Sequence, residues 1–427
     1  VTAADVLQRI GARRWINAGG TLTRYGGALA SPDVAAAMAL AARRSFDMWE
    51  LQAAASHAIA AASGAQAGLV TTGASAALTL AAAAAIAGAT RGASLFGAAT
   101  AGTPRPAIVM PRTHRNGYDR AFVTAGAVVV DVGDNDRGTG AGVRGLERAD
   151  LDAAIDGQTV ALAASAAPPC LVDLPVLLEA ARDHGLPLIV DAAAQLPPAA
   201  NLRRFVDAGA SLVCFSGGKA IGGPQASGIL AGRRELVALA ALQMLDLDVL
   251  PERFAPPPEF LPDGPPAAGG GGADGWPTRR AVRERMPRQG LGRGFKASKE
   301  AVVGLVVALQ AFVSTDRAAR AQALEARLRT LADTIAAGAA TTVRLDWLAS
   351  DDPERAARLA LRCDGPDAAA RRRAARRVAE RLADGSPPIA LAEGGLPSGE
   401  LVVDLSCVDP DDDAPLAAGL IRALGAV

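Results

Sequence analysis

Val190-Asp191-Ala192-Ala193-Ala194-Gln195 and, further along, Phe215-Ser216-Gly217-Gly218-Lys219 are the two pieces of sequence on which the fold turns. Each begins as a short apolar run, 188–191 and 212–215, and ends in side chains able to do chemistry. Runs of that length without polar alternation read as strands buried on both faces. Working outward, similar runs occur at 68–72, 107–110, 127–132, 160–164 and 227–230, separated by helical stretches rich in alanine. Strands alternating with helices predict βαβ units: an α/β fold with a mainly parallel seven-stranded sheet. In such sheets ligands sit beyond the carboxyl ends of the strands, where Asp191, Ser216 and Lys219 fall.

The chain has 427 residues and 44 basic side chains, of which only three are lysines: Lys219, Lys296 and Lys299. Chemistry that needs a primary amine therefore has three candidates. A carboxylate closing one buried strand and an amine just past the next can face each other across a flat ligand. Pyridoxal phosphate needs this pair, an amine for the Schiff base and an anion to keep the pyridine nitrogen protonated. The glycines before Lys219 are expected to let the backbone come close to that ligand. Upstream, Val70-Thr71-Thr72-Gly73-Ala74-Ser75 runs from a strand into a helix, whose first N–H groups and the Ser75 hydroxyl suit a phosphate. His114, in Arg112-Thr113-His114-Arg115, follows another strand; it is open to stacking on a ring, to acid–base work or to a structural role. His57 and His184, within helical patterns, read as structural.

Acidic side chains also number 44, so the formal charge is zero. That balance argues for a small-molecule substrate and against nucleic acid or an anionic membrane. Cys170, Cys214, Cys363 and Cys407 lie far apart and read as buried small hydrophobes. With three histidines they suggest neither a disulfide framework nor a metal site. The most apolar run, 76–89, is too short and too alanine-rich to span a bilayer, and the start of the sequence lacks the pattern of a secretory leader. A cytoplasmic location is expected.

Four segments are expected: 1–50, packing with a small domain and the active site; 51–250, a large cofactor-binding domain; 251–290, a Pro/Gly-rich linker or lid; and 291–427, a small α+β domain. In the last, 298–313, 318–337, 367–382 and a stretch from 414 read as helices, and 342–348, 359–363 and 401–405 as strands.

Three quoted motifs carry a family resemblance: Trp15-Ile16-Asn17-Ala18-Gly19-Gly20-Thr21, then Ser216-Gly217-Gly218-Lys219-Ala220-Ile221-Gly222-Gly223-Pro224-Gln225, then Gly292-Arg293-Gly294-Phe295-Lys296-Ala297-Ser298-Lys299-Glu300. The sequence resembles fold-type I pyridoxal phosphate enzymes and, within them, the selenocysteine synthase and D-glucosaminate 6-phosphate ammonia-lyase branch. The resemblance implies that Lys219 forms the Schiff base, Asp191 meets the pyridine nitrogen, Gln195 lies near the ring hydroxyl and His114 stacks on the ring. It further implies that Gly73, Ala74, Ser75 and Ser216 hold the phosphate. Gly222 and Gly223 would serve the cofactor of a neighbouring subunit in a homodimer or assembly of dimers. Arg293, and after it Arg24 and Arg362, would bind a substrate carboxylate or phosphate. The implied activity is α,β-elimination, of ammonia-lyase or dehydratase type, or β-replacement on a small amino acid or amino sugar acid. Transamination, racemisation and side-chain cleavage are alternatives within the fold, and a non-catalytic interaction protein is the alternative outside it.

Overall fold

The computed structural model describes residues 6–7, 9–89, 105–133, 145–244, 250–261, 289–338 and 343–425. The chain divides into two compact units, residues 1–29 with 314–427, and residues 30–313. The expected boundaries differ from these: 30–50 and 291–313 cluster with the large unit. The reason is burial, since Val34 and the face Val302, Leu305, Ala308, Leu309 and Phe312 of the helix Lys299–Ser314 share a core with sheet residues Val70, Val190 and Val213.

The first strand, β1 (Ile16–Ala18), belongs to the smaller unit. The larger unit holds β2 (Ala67–Thr71), β3 (Ala107–Pro111), β4 (Val128–Val132), β5 (Thr159–Ser165), β6 (Leu188–Asp191), β7 (Leu212–Ser216) and β8 (Gly228–Gly232) in one sheet, ordered β2-β8-β7-β6-β5-β3-β4. All but β8 run in one direction; β8 is antiparallel to both of its neighbours, β2 and β7. Alternate residues of each strand enter two different cores. Leu69, Ile108, Ile189, Leu212 and Leu230 meet the helices Ala74–Ala89 and Arg234–Leu242. Val70, Val109, Leu162, Val190 and Val213 meet Leu177, Phe205 and Leu305 on the other face. Both faces are covered, which is why these strands read as unbroken apolar runs.

Residues 76 to 87 of the helix Ala74–Ala89 are all buried. Alanine favours the helix and leaves no bulk to hold it off the sheet. The outer edge of β2 is closed by the helix Met48–Ser63: the Gln52 side chain donates to Val70 O (2.9 Å) and accepts from Val70 N–H (3.0 Å), and Ser56 Oγ accepts from Gly68 N–H (2.9 Å). Side chains thereby complete an edge that would otherwise be open to pairing.

The Pro/Gly-rich segment does not behave uniformly. Its start is packed, with Phe254 and Phe260 buried and edge-on to Trp49, at 5.6 and 5.8 Å between ring centroids. Residues 262–288, including the Gly269–Gly272 run, lie outside the described residues, and with them the choice between lid and linker.

In the smaller unit, β9 (Val343–Leu348), β10 (Arg358–Cys363) and β12 (Glu400–Val403) form an antiparallel sheet ordered β12-β10-β9, and β1 pairs in parallel with β11 (Ile389–Leu391). The helices Arg317–Gly338, Ala368–Ala383 and Asp413–Gly425 supply Leu331, Val378 and Leu420 to their common core. All four cysteines are buried and unpaired with one another. Among the described residues no single helix is long and apolar enough to cross a membrane.

Candidate active site

Six positions meet at one edge of the large sheet. Thr71 ends β2, Pro111 ends β3, Ser165 ends β5, Asp191 ends β6 and Ser216 ends β7, while Gly228 begins the reversed β8. Register ties them into a row: Ser165 lies opposite Asp191, Asp191 opposite Cys214, and Gly228 opposite both Ser216 and Thr71.

Asp191 and Lys219 feel each other electrostatically in this row. Burial raises the Asp191 carboxyl above its ordinary value, against the Ala193 N–H that Oδ1 accepts (3.0 Å) and the Lys219 charge, which both lower it. Burial likewise lowers Lys219 below an ordinary lysine, partly offset by Asp191. Desolvation favours the neutral form of each group, and their mutual attraction works against it. The amine is thus brought toward a state in which it can act as nucleophile or base. The other two lysines are elsewhere employed or open to water: Lys296 is exposed, and Lys299 Nζ donates to Ala41 O (2.6 Å) and to Glu300 (2.7 Å). Ala41 O, at the end of the helix Pro32–Ala42, also accepts the Arg44 N–H (3.2 Å), so Lys299 joins the cap of that helix.

His114 is buried, and both of its ring nitrogens are occupied. Nδ1 accepts the Ser165 N–H (3.3 Å), which requires that nitrogen to be unprotonated; Nε2 then carries the proton and faces Asp173 Oδ2 at 3.1 Å. Burial lowers its pKa, while Asp173 raises it. The ring is therefore held neutral in one tautomer, and its faces, not its nitrogens, are what it has to offer. Asp173, itself buried, was not visible as a site residue in the sequence, because nothing about a carboxylate ending Pro168–Asp173 announces a histidine partner.

The turn Thr72-Gly73-Ala74-Ser75 opens toward space. Gly73 has φ +115° and nothing within 4 Å of where a Cβ would point, and Gly73 O accepts Ala77 N–H as the helix starts. Among the described residues the N–H groups of Ala74, Ser75 and Ala76 and the exposed Ser75 hydroxyl meet no hydrogen-bond partner. Thr71 Oγ1 donates to Gly73 O (2.9 Å), and Thr72 Oγ1 donates to Phe295 O (3.1 Å), which ties the turn to the Gly292–Lys299 motif. On the inner side, a Cβ at Gly228 would sit 2.4 Å from Gly73 C, so the start of β8 must be glycine for this turn to lie where it does.

The loop before Lys219 is different. Its glycines pack against the chain itself: a Cβ on Gly218 would lie 2.6 Å from Gln225 Cα, and one on Gly217 2.5 Å from Leu305 Cδ1. Beside the approach to a ligand expected of them, these glycines let the loop fold onto residues 224–227. The amides of Gly222 and Gly223 are used inside the same loop, donating to Lys219 O and Gly217 O, both at 2.9 Å.

Gln195 is half-buried after β6, with its carbonyl accepting from Asn201 Nδ2 (2.7 Å), and Ser216 is half-buried at the end of β7. Arg293 is half-buried in the short helix Leu291–Phe295 of the same unit. Arg24 and Arg362 belong to the smaller unit. Arg362 is held by Asp346 (2.9 Å) and Glu400 (3.0 Å) across its own sheet, a structural engagement the sequence reading did not foresee. Arg24 is exposed, over the Tyr25 ring. His184 pairs with Asp152 (2.7 Å) and His57 with Glu259 (3.3 Å), away from this row.

Residues 173–247, which contain both Asp191 and Lys219, match the family model of L-seryl-tRNA selenium transferase. The chain is 29% identical over 430 residues to a 5'-C-glycyluridine monooxygenase-decarboxylase from Streptomyces sp, covering 98% of this chain and 91% of the relative. It is 27% identical over 314 residues to a D-glucosaminate-6-phosphate ammonia lyase from Salmonella typhimurium (strain 14028s / SGSC 2262), covering 72% and 69%. A solved structure of D-glucosaminate-6-phosphate ammonia-lyase superposes with a TM-score of 0.75 at 24% identity, over the full length of both chains. The chain has the fold of the fold-type I pyridoxal phosphate enzymes and is similar, among them, to the selenocysteine synthase and D-glucosaminate-6-phosphate ammonia-lyase branch.

Proposed function

We propose that this protein is a pyridoxal phosphate-dependent lyase that removes the β-substituent of a small amino acid or amino sugar acid. The observation that carries the reading is the placing of Asp191 at the end of β6 and of Lys219 three residues past the end of the adjacent parallel β7, each within the other's electrostatic influence and with the lysine pKa lowered by burial. The residues present fit the cofactor. Lys219 supplies the amine, Asp191 an anion for the ring nitrogen, and the neutral His114 a flat face. The open turn at Gly73, Ala74 and Ser75, with Ser216, supplies donors for the phosphate. Gln195 is assigned to the ring hydroxyl, and Arg293 to a substrate anion, on the resemblance of their motifs.

When bound, pyridoxal phosphate supplies an electron sink for negative charge at the substrate α-carbon. The protein's share is proton handling and orientation. Lys219 Nζ takes the α-proton, and its lowered pKa leaves more of the amine free to do so near neutral pH. Asp191 provides the fixed negative charge that holds a protonated ring nitrogen, in a setting where burial has excluded most water. His114 exchanges no proton, because Ser165 and Asp173 hold both of its nitrogens; it positions the ring by contact. The catalytic part expected of His114 is therefore proposed as positioning.

The holoenzyme incubated with a panel of amino acids and phosphorylated amino sugar acids is expected to release ammonia and a keto acid in equal amounts without any added amino acceptor. Turnover that requires a keto-acid acceptor would replace the lyase reading with an aminotransferase one. A second reading, oxidative decarboxylation of an amino acid carried on a nucleoside, draws on the likeness that covers 98% of the chain. It is separated in the same experiment by oxygen uptake and carbon dioxide release. The protein is further proposed to work on small molecules in the cytoplasm as a homodimer or an assembly of dimers. Sedimentation and cell fractionation test these assignments, and Gly222 and Gly223 are the positions to watch for contact with a second copy.

A further inference from the structure

The antiparallel sheet of the smaller unit has two unlike edges. Along β12, Ala392 and Val402 exchange backbone hydrogen bonds, at 2.9 and 3.0 Å, so that edge is taken up. At the other edge β9 pairs with β10 alone among the described residues. Register shows which of its groups stay unused. Cys363 N–H donates to Gly399 O (3.0 Å), so Leu359, Leu361 and Cys363 turn their backbone toward β12, and Arg358, Ala360 and Arg362 turn theirs toward β9. The residues directly opposite the latter are Leu348, Asp346 and Arg344, which leaves the N–H and C=O groups of Val343, Leu345 and Trp347 pointing outward. The strand lacks the usual devices against edge pairing. It contains no proline and no lysine, and its register with β10 runs without a bulge.

This edge is complementary to itself. Two copies of β9 laid antiparallel about a two-fold axis through Leu345 set Leu345 opposite its own copy and Val343 opposite Trp347, so every outward N–H meets an outward carbonyl. The side chains match on both faces as well. Val343 and Leu345 pack against the core of the unit, and Trp347 falls on the same face, exposed, with the Arg329 guanidinium 5.3 Å from its ring. Pairing continues this apolar row from one copy into the next. On the other face Arg344 and Asp346 lie 3.0 Å apart within one chain. Across the axis each Arg344 stands directly opposite the second copy's Asp346, an opposite-charge pair formed twice. Moving the axis by one residue, to Arg344 or Asp346, sets like charges against each other, so the pattern selects one register.

We propose that β9 pairs edge to edge with β9 of a second copy of this chain, joining two three-stranded sheets into one. The contact uses no residue assigned to the cofactor or substrate anion except Arg362, which stays on the neighbouring strand, and it stands independently of the lyase chemistry. An edge of this length, about 20 Å, is smaller than a standard interface, so the association is expected to depend on concentration. Sedimentation velocity of the full-length holoprotein over a wide concentration range tests it. At high concentration the wild type should reach about twice the mass of Trp347→Pro or more, since that substitution removes an outward N–H and leaves the bonds to β10 in place. Arg344→Glu and Asp346→Lys, each alone, set like charges across the axis and should weaken association at least about tenfold. Mixed in equal amounts, the two variants bring opposite charges together at both contacts, and association should return. Circular dichroism checks that each variant is folded; should Trp347→Pro fail to fold, the charge variants and their mixture decide alone. Equal mass for wild type and Trp347→Pro, or a mixture that associates no better than its components, overturns the proposal.

Discussion

Two glycine-bearing turns stand at the same edge of the large sheet, one after β2 and one after β7, and they spend their glycines in opposite ways. At 216–223 the missing side chains are filled by the protein: Gln225 backbone behind Gly218, Leu305 behind Gly217, and internal carbonyls for the amides of Gly222 and Gly223. At 72–75 the glycine has open space before it, and the amides that follow meet no hydrogen-bond partner among the described residues. The first turn is a clamp that fixes where Lys219 emerges. The second is the turn proposed to receive the cofactor phosphate. A glycine in a loop therefore identifies a ligand contact only when the volume its Cβ would occupy is empty, a property of the neighbours and not of the glycine.

The comparison predicts which substitutions are felt in binding and which in stability. The largest effect is expected at the residue the clamp delivers: Lys219→Ala should lower turnover by roughly 10³-fold or more, since one amine serves as anchor and base. The visible absorbance of bound cofactor should vanish while the thermal unfolding profile of the apoprotein stays near wild type. Retention of that band would remove Lys219 from its assigned role. Next, Gly218→Ala places a carbon against backbone that cannot rotate away. It should destabilise the apoprotein by roughly 1–3 kcal/mol, read as a lower melting temperature. Normal stability would mean that the clamp is looser than its contacts indicate.

In the receptor turn, Ser75→Ala should leave apoprotein stability within about 0.5 kcal/mol, as for an exposed position. It should weaken pyridoxal phosphate binding about tenfold, the worth of one hydrogen bond to a charged group. Equal loss of stability in Ser75→Ala and Gly218→Ala would erase the distinction between the two turns.

The smallest expected effect is on pH dependence. Because the Lys219 pKa lies below that of an ordinary lysine, the unfolded chain binds more protons than the folded one between the two values. Apoprotein stability should therefore rise with pH through that interval, and the rate of cofactor capture should rise with pH with a midpoint below 10.5. Asp191→Asn removes the charge that partly restores the lysine, so the midpoint should move lower still. A midpoint at or above the ordinary lysine value would contradict the burial of the amine.

Much of this architecture is legible in the sequence. The strands at 188–191 and 212–215 are found within a residue of where they lie, because a strand buried on both faces has no choice but to be apolar throughout. Asp191 and Lys219 stand out for the same reason: a charge ending such a run costs burial energy that some partner has to offset. Other features leave no such trace. Asp173 reaches His114 from a different βα unit, and Gln52 closes the edge of β2 from a helix 18 positions away. Arg362 reads as a free cation and is an ion-paired one. The division at Leu29 and Ser314 follows from which core takes each helix face, which periodicity does not reveal.

By itself the sequence determined the α/β class, the strand set of the large sheet and a list of amines short enough to single out Lys219. Those follow from local pattern and residue type, which survive without knowledge of neighbours. Only the tertiary structure decided which glycines open onto empty space and which face the chain, and which tautomer His114 holds. Each of these depends on what lies within a few ångströms across the fold, and proximity between distant residues is set by packing rather than by the order of the chain.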